Sequence, residues 1–351
     1  MKRYKVGICG NYGSDKQNFN GQSIKTDILT KEFKKRIESR SVGVVDTSIW
    51  KKKYFKLLFQ CIRLLKKSTN IVLMPAQNGI KILIPLFVLL NLVFKKDIYY
   101  IVIGGWLPDL LIRKKHLRKI LKKIKIIYVE TNNMKQRLES FGFQNVDYLP
   151  NFKKLDILDE QDLSSKRSEN LSVCTFSRVS KEKGIEDAIK SVVLANEIIN
   201  KDVYSLDIYG QIDVNYKDRF KSIMDTTPNY IKYKGVVEYN QSTKILKNYF
   251  LMLFPTYYQG EGFAGTIIDA FSAGLPVIAT NWKYNAEIIR HLSDGIIYNM
   301  SDSNALVDTL VSSYNNQDNI FHMKKNCVKR AHEYTPEIVV NKLMKDFSLS
   351  S

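Results

Sequence analysis

Apolar residues fall along this chain in short runs of strand length, separated by longer stretches of helical period. In the first half the strand-like runs are Tyr4–Cys9, Ser41–Val45, Asn70–Met74, Asp97–Ile103, Ile126–Val129 and Asn145–Leu149. Between them the pattern predicts helices over Gly21–Arg40, Trp50–Leu65, Gly79–Phe94 with a bend at Pro85, Leu107–Lys125 and Asn132–Phe141. Such alternation predicts a parallel, doubly wound sheet. The polar segment Asn151–Asn170, with its acidic cluster, reads as a linker. The alternation then restarts with LSVCTFS, a helix from Gly184, YSLDIYG, a helix, YIKYKGVV, a helix and FLMLFP, and it closes with helices from about Ala305 to Ser350. The expectation is an α/β chain of two Rossmann-like, doubly wound domains facing a cleft. Residues 1–155 would form the first and 170–334 the second, with the last helix, about 335–351, free to pack back on the first.

Composition agrees with two domains, since 351 residues exceed one ordinary core. The opening MKRYKVGICG has too short an apolar stretch for a signal peptide. The longest apolar run, Ile82–Phe94, has 13 residues, whereas a membrane span needs about 20. Cys9, Cys61, Cys174 and Cys327 are scattered without a CxxC spacing and read as reduced core thiols of a cytoplasmic protein, and no metal cluster is evident. Charge changes the picture more. Residues 1–165 hold 32 Lys and Arg against 14 Asp and Glu, while the remainder hold 22 against 21. One half therefore faces an anionic partner, whether nucleic acid, a phospholipid surface or a phosphorylated substrate.

Candidate chemistry lies in the second half. Residues 255–280, PTYYQGEGFAGTIIDAFSAGLPVIAT, join a buried strand to a glycine loop, a short helix closed by Gly274, and another strand. Glycines at 260, 262 and 265 let the backbone turn and approach a ligand, and the free N–H groups of the helix start favour an anion. Glu261 and Asp269 are separated by seven residues across that corner. Two readings stay open: both acids serve a ligand, or Asp269 closes a capping box with Thr266 and Glu261 is a solvated loop acid. At the head of the second domain SRVSKEKG puts Arg178 and Lys183 at a strand end, beside a helix start. There a planar guanidinium and a mobile ammonium suit a diphosphate, though solvated loop cations would look the same.

The succession SRVSKEKG, LDIYG, IKYKGVV and FPTYYQGEGFAGTIIDAFSAGLPVIATNWKYNAEII resembles the nucleotide-sugar-binding domain of retaining glycosyltransferases of family 4, with the GT-B fold. The likeness runs near full length; the first half carries it mainly through YVETNNMKQRL and YLPNF. It implies that Arg178 and Lys183 hold the donor diphosphate and that Glu261 contacts the donor sugar's hydroxyls. The backbone of Gly262, Phe263, Ala264, Gly265 and Thr266 would lie against sugar and phosphate. Asp269 would accept from the ribose hydroxyls, and the loop Gly13–Gln22, including Gly21, would close over the phosphates. Three departures stand out: Asp269 replaces the usual Glu, Gly104-Gly105-Trp106 stands where many members carry a histidine, and Phe152 stands where glycine is common.

The sequence lacks a D-x-D pattern, so no metal clamp is expected, and no cofactor either, the nucleotide-sugar being a co-substrate. The resemblance implies transfer with retained configuration, from a donor that is UDP-linked in most of the family. Two basic stretches, Lys51–Lys67 and Leu107–Lys125, mix cations with apolar residues; in the second, Leu110, Leu117, Leu121 and Ile124 share a face. They predict an anionic membrane surface as partner, a cytoplasmic enzyme peripheral to the membrane, and a lipid-linked glycan acceptor for a capsule or exopolysaccharide. Both stretches packing their apolar stripes on the sheet is the competing reading. A sugar-nucleotide epimerase of the same fold and a non-catalytic glycan-binding partner are the alternatives. Nucleic acid is not expected, for want of a recognition motif.

Overall fold

The computed structural model describes residues 3–13, 21–48, 54–163, 167–302 and 304–349. Two compact units emerge: Met1–Lys154 with Tyr334–Ser351, and Leu155–Glu333.

In the first unit six strands, β1 (Tyr4–Gly10), β2 (Val42–Asp46), β3 (Ser68–Met74), β4 (Asp97–Ile101), β5 (Ile126–Val129) and β6 (Val146–Tyr148), form one parallel sheet in the order β2-β1-β3-β4-β5-β6. Helices α1 (Gly21–Arg36), α2 (Tyr54–Lys67), α3 (Ile80–Phe94), α4 (Leu107–Arg113), α5 (His116–Leu121) and α6 (Asn132–Ser140) connect them. Parallel strands need crossovers, and burial on both faces explains why these strands read as nearly unbroken apolar runs.

The stretch Leu107–Lys125, expected as one helix, is two. The carbonyl of Leu111, which a continuous helix would give to the N–H of Lys115, instead accepts the Arg118 Nε–H at 2.9 Å, and the backbone turns at Lys114. The break lets Leu107 and Leu111 as well as Leu117, Leu121 and Ile124 turn inward, so the apolar stripe of this basic stretch is spent on the core. The second expected basic stretch is described from Tyr54 on; residues 50–53 lie outside the described residues.

The second unit repeats the plan with β7 (Leu171–Phe176), β8 (Tyr204–Tyr209), β9 (Ile231–Gly235), β10 (Leu251–Phe254), β11 (Val277–Thr280) and β12 (Gly295–Tyr298), all parallel in the order β12-β11-β10-β7-β8-β9. Strand β12 was not expected from the sequence. It is a four-residue edge strand, half-buried over most of its length, and leaves little apolar signature. Around the sheet lie α7 (Ile185–Ile199), α8 (Lys217–Met224), α9 (Ser242–Leu246), α10 (Gly265–Ser272), α11 (Asn285–Ile288), α12 (Ala305–Asn315) and α13 (Gln317–Ala331). The last helix, α14 (Pro336–Asp346), belongs to the first unit. Its Val339, Val340 and Leu343 join the core beside Leu29 and Phe33, and Tyr128 Oη donates to Asp346 Oδ2 at 2.7 Å. All four cysteines are buried free thiols. Among the described residues no helix is long and apolar enough to cross a membrane.

What positions the site is the strand order of the second sheet. Strand β7 starts the sheet from its middle, and the chain later returns to lay β10 on its other side, so connections leave the two neighbours in opposite directions. Open parallel sheets have a crevice at the carboxyl ends of such a pair. Two glycines let the loops there meet. Gly184 has φ +70°, and a Cβ on it would fall 2.1 Å from the Pro255 carbonyl oxygen; Gly210, at φ +137°, would place one 1.7 Å from the Ser177 carbonyl oxygen. Left-handed backbone alone costs a non-glycine residue roughly 1–2 kcal/mol, and the collision adds to it, so Gly184→Ala is expected to lose at least about 2 kcal/mol in urea unfolding. Wild-type stability in that variant would contradict this close approach.

Candidate functional site

Two loops leave the carboxyl ends of β7 and β10 and build one cavity of about 840 Å³, lined wholly by the second unit. The first runs from Ser177 to Gly184, the second from Pro255 to Ala264. They are tied directly: the Tyr257 N–H donates to the Glu182 carbonyl at 2.9 Å.

The sequence sets Lys183 and Glu261 in separate motifs; the fold brings them together. Lys183 Nζ lies 2.5 Å from Glu261 Oε2, and its ammonium also faces the rings of Phe254 and Tyr258, each centroid 5.2 Å away. The same carboxylate oxygen accepts the hydroxyl of Thr256 at 2.8 Å. Thr256 is fully buried, and its carbonyl in turn accepts the Thr280 hydroxyl at 2.5 Å. Glu261 is therefore a buried carboxylate held on one oxygen by a cation and a hydroxyl. It is not a solvated loop acid.

Helix α10 opens on the same cavity. Ala264 is its N-cap in extended conformation, and Gly265 and Thr266 occupy its first turn, where backbone N–H groups have no intrahelical acceptor. The Thr266 hydroxyl donates to the Phe176 carbonyl at the end of β7, which pins the helix start to the strand. The N-cap is Ala264, so Thr266 stands inside the helix and is not the capping residue of a box with Asp269. Asp269 sits one turn further in, buried, accepting from the Ser242 hydroxyl at 2.9 Å, and is not among the cavity-lining residues. Phe263 is buried beneath the loop, and Gly262 is buried too.

Arg178 lines the opposite side, 64 % exposed at its side chain, with Nη1 3.9 Å from Asp213 Oδ2. That pair is too long for a hydrogen bond and worth little in water. Further along, Arg219 Nη2 donates to Glu186 Oε2 at 2.8 Å and the Tyr216 hydroxyl to Glu186 Oε1 at 3.1 Å. The Arg219 guanidinium holds the Glu186 carboxyl below the usual carboxylate range, while burial pushes the Tyr216 phenol up. The lining is charge-balanced, with Arg178, Lys181, Lys183 and Arg219 set against Glu182, Glu186, Asp213 and Glu261. Position, not net charge, distinguishes this lining: a half-buried ammonium and a helix start, both of which favour an anion, line one cavity.

Of the other residues singled out, Gly13, Gly21 and Gln22 belong to the first unit. Gly13 has φ +73° and donates its N–H to Asn11 Oδ1; Gly21 opens α1; Gln22 Nε2 donates to the Met74 carbonyl at 2.9 Å. The loop between them, residues 14–20, lies outside the described residues. Gly104 and Trp106 stand where many members of the resembled family carry a histidine. The Gly104 N–H donates to Glu130 Oε2 at 3.1 Å, and Glu130 Oε1 is 2.6 Å from Lys25 Nζ in a buried pair. Thr256, Tyr258, Asp213 and the Glu186–Arg219 pair were not singled out from the sequence. Only Thr256 carried a signal, as a polar residue two places past the apolar run of β10.

Comparison with known proteins follows the same half of the chain. The family model for glycosyl transferases group 1 matches residues 158–334. The GtfA subunit of the UDP-N-acetylglucosamine–peptide N-acetylglucosaminyltransferase of Streptococcus agalactiae is 29% identical over 170 residues, which are 48% of this chain and 31% of that protein. The Streptococcus gordonii counterpart is 27% identical over 195 residues, 55% of this chain and 37% of its own. The chain thus spans about a third of the length of these relatives. Among solved structures, HepE of Anabaena in complex with UDP superposes with a TM-score of 0.77 at 14% identity, covering 99% of this chain and all of the other. That likeness establishes the GT-B fold.

A neutral replacement separates the two jobs that the Thr256 hydroxyl could do. Hydrogen bonds to charged groups contribute about 1.5–3 kcal/mol, so Thr256→Val is expected to lose that much in urea unfolding. A smaller loss, about 0.5–1.5 kcal/mol as for a neutral acceptor, would mean that the hydroxyl spends its proton on the Glu182 carbonyl, 3.3 Å away, and not on Glu261.

Proposed function

The chain belongs to the group 1 glycosyl transferases, and on that premise we propose that it moves a sugar, with retained anomeric configuration, from a UDP-sugar to a hydroxyl of a lipid-linked glycan, as a family 4 enzyme at the membrane surface. The observation that carries this reading is the Lys183–Glu261 pair beneath the start of α10. In it one cation and one carboxylate stand side by side, as a donor needs whose diphosphate is anionic and whose sugar is a cluster of hydroxyls. The UDP found with HepE, and the UDP and GlcNAc found with the pneumococcal O-GlcNAc transferase GtfA, support UDP as the nucleotide.

Each residue then has a task. Lys183 Nζ and the first N–H groups of α10 take the diphosphate, with Arg178 reaching in from the exposed side. As the diphosphate claims Lys183, Glu261 keeps the Thr256 bond and turns its other oxygen to the sugar hydroxyls. The bond from the anomeric carbon to the diphosphate oxygen lengthens and breaks. The acceptor oxygen bonds to that carbon on the same face, and the departing diphosphate takes the acceptor's proton. No side-chain nucleophile is required. Positive charge from Lys183, Arg178 and the helix start stabilises the leaving group, so we hold the reaction to be metal-independent. Asp269, buried against Ser242, reaches the ribose only through a rotamer change or a water, and we assign it a supporting role. The acceptor goes to the basic first unit.

Removing one preorganised charge from such a site costs roughly 10²–10³ in turnover. Glu261→Ala and Lys183→Ala are each expected to fall by that factor in a UDP-sugar consumption assay, with their melting transitions still cooperative. A folded variant of either residue that turns over like wild type would remove it from the reaction. EDTA is expected to leave the rate unchanged; loss of activity restored by manganese or magnesium would defeat metal independence.

A further inference from the structure

The first unit carries a surface that the transfer chemistry does not use. Helix α3, IKILIPLFVLLNLVF, is apolar on almost every side. Ile80, Leu83, Ile84 and Phe87 turn inward, while Ile82, Leu86, Leu89 and Val93, spaced four, three and four residues apart, share the opposite face. Leu89 is 65 % and Val93 78 % exposed. Helix α2 packs beside α3 and repeats the plan with aromatic residues, Phe55 at 72 % and Phe59 at 67 % exposure. Beside them on α2, the exposed Lys56 and Arg63, seven residues apart, share a face. A soluble surface scatters such side chains singly; here they are contiguous.

Charge selects the occupant. From Thr47 to Lys96 the sequence has no Asp or Glu and 10 Lys and Arg, and from Leu110 to Val129 again no acid and 8 Lys and Arg. The second set includes exposed Lys119, Lys122 and Lys123, on and just after α5, the helix that packs on the other side of α3. Both helices packed against α3 thus carry exposed cations on or next to them. A second copy would bring like charge against like charge. Nucleic acid would neutralise the lysines and leave Leu89 and Val93 uncovered. Only an occupant both anionic and apolar matches.

We propose that α2 and α3 form a docking face for an anionic lipid bilayer, with the outer stripe of α3 and the phenyl rings of α2 seated at the acyl boundary and the neighbouring cations among the headgroups. This rests on, and gives a place to, the membrane location in the function proposed above. It keeps α2, which lies in the Lys51–Lys67 stretch, adds α3, and drops the apolar face of Leu107–Lys125, whose leucines are buried.

The test uses the full chain and co-sedimentation with vesicles of phosphatidylcholine alone or of equimolar phosphatidylcholine and phosphatidylglycerol. Wild type is expected to sediment with the mixed vesicles at low salt, to release as salt rises, and to stay in the supernatant with phosphatidylcholine alone. Leu89→Gln/Val93→Gln and Phe55→Ser/Phe59→Ser replace exposed side chains. Both are expected to bind mixed vesicles at least tenfold more weakly, with unchanged melting and an unchanged thermal shift by UDP. Vesicle binding equal to wild type in both variants, or none by wild type to mixed vesicles, would overturn the docking face. A UDP shift that survives either result leaves the donor site standing, and a missing UDP shift with normal vesicle binding strikes only the donor reading.

Discussion

Strands β7 and β10 are in register over Leu251 with Val173 and Met252 with Cys174, and beyond those pairs their chains part. Everything in the candidate site depends on that parting. A sheet wound outward from its middle in both directions has one place where the loops after neighbouring strands diverge, and that gap opens at the carboxyl ends. Into it the sequence sends two short loops held together by small devices. Gly184 takes the left-handed backbone that lets its loop touch Pro255, Tyr257 bonds to Glu182, and Thr266 bonds to the last residue of β7. The result is a fixed frame of backbone around a handful of side chains.

Within the frame, Lys183 and Glu261 neutralise each other. The half-buried ammonium and the buried carboxylate are both costly without partners, and each supplies the other's. A ligand that carries an anion next to hydroxyls can replace that mutual pairing with two matched ones, whereas a plain anion or a neutral sugar satisfies only one side. On the proposed function, selectivity for a sugar joined to a diphosphate would follow from this arrangement. The balanced lining fits the same logic. Glu186 pairs with Arg219 and Asp213 stands near Arg178, so acids offset the exposed cations of the lining and no diffuse positive patch faces every anion in solution.

Much of this was legible in the sequence, for a physical reason. Strands buried on both faces must be apolar along their length, so all six strands of the first sheet and five of the second stood out as runs, and the glycine loop and its helix announced a ligand corner. What stayed hidden depended on contacts distant in the chain. Ser242 as the partner of Asp269 lies 27 residues away, and the tie of Thr266 to Phe176 spans 90. The break at Lys114 turned on a side chain, Arg118, capturing one carbonyl that helical period assigns to the backbone. Edge strand β12 had too few buried positions to leave a pattern. The outer face of α3 was hidden differently: an apolar run says nothing of which side is covered, and only the packing shows that half of it is not.

The central claim is that the divergence of β7 and β10 is a seat for a nucleotide diphosphate whose sugar turns toward Glu261. A crystal structure of the chain with a bound UDP-sugar tests it most directly. The account predicts diphosphate oxygens within hydrogen-bonding distance of Lys183 Nζ and of the first N–H groups of α10, with a sugar hydroxyl on Glu261. A diphosphate bound away from α10, with the Lys183–Glu261 pair intact beside it, would contradict the account.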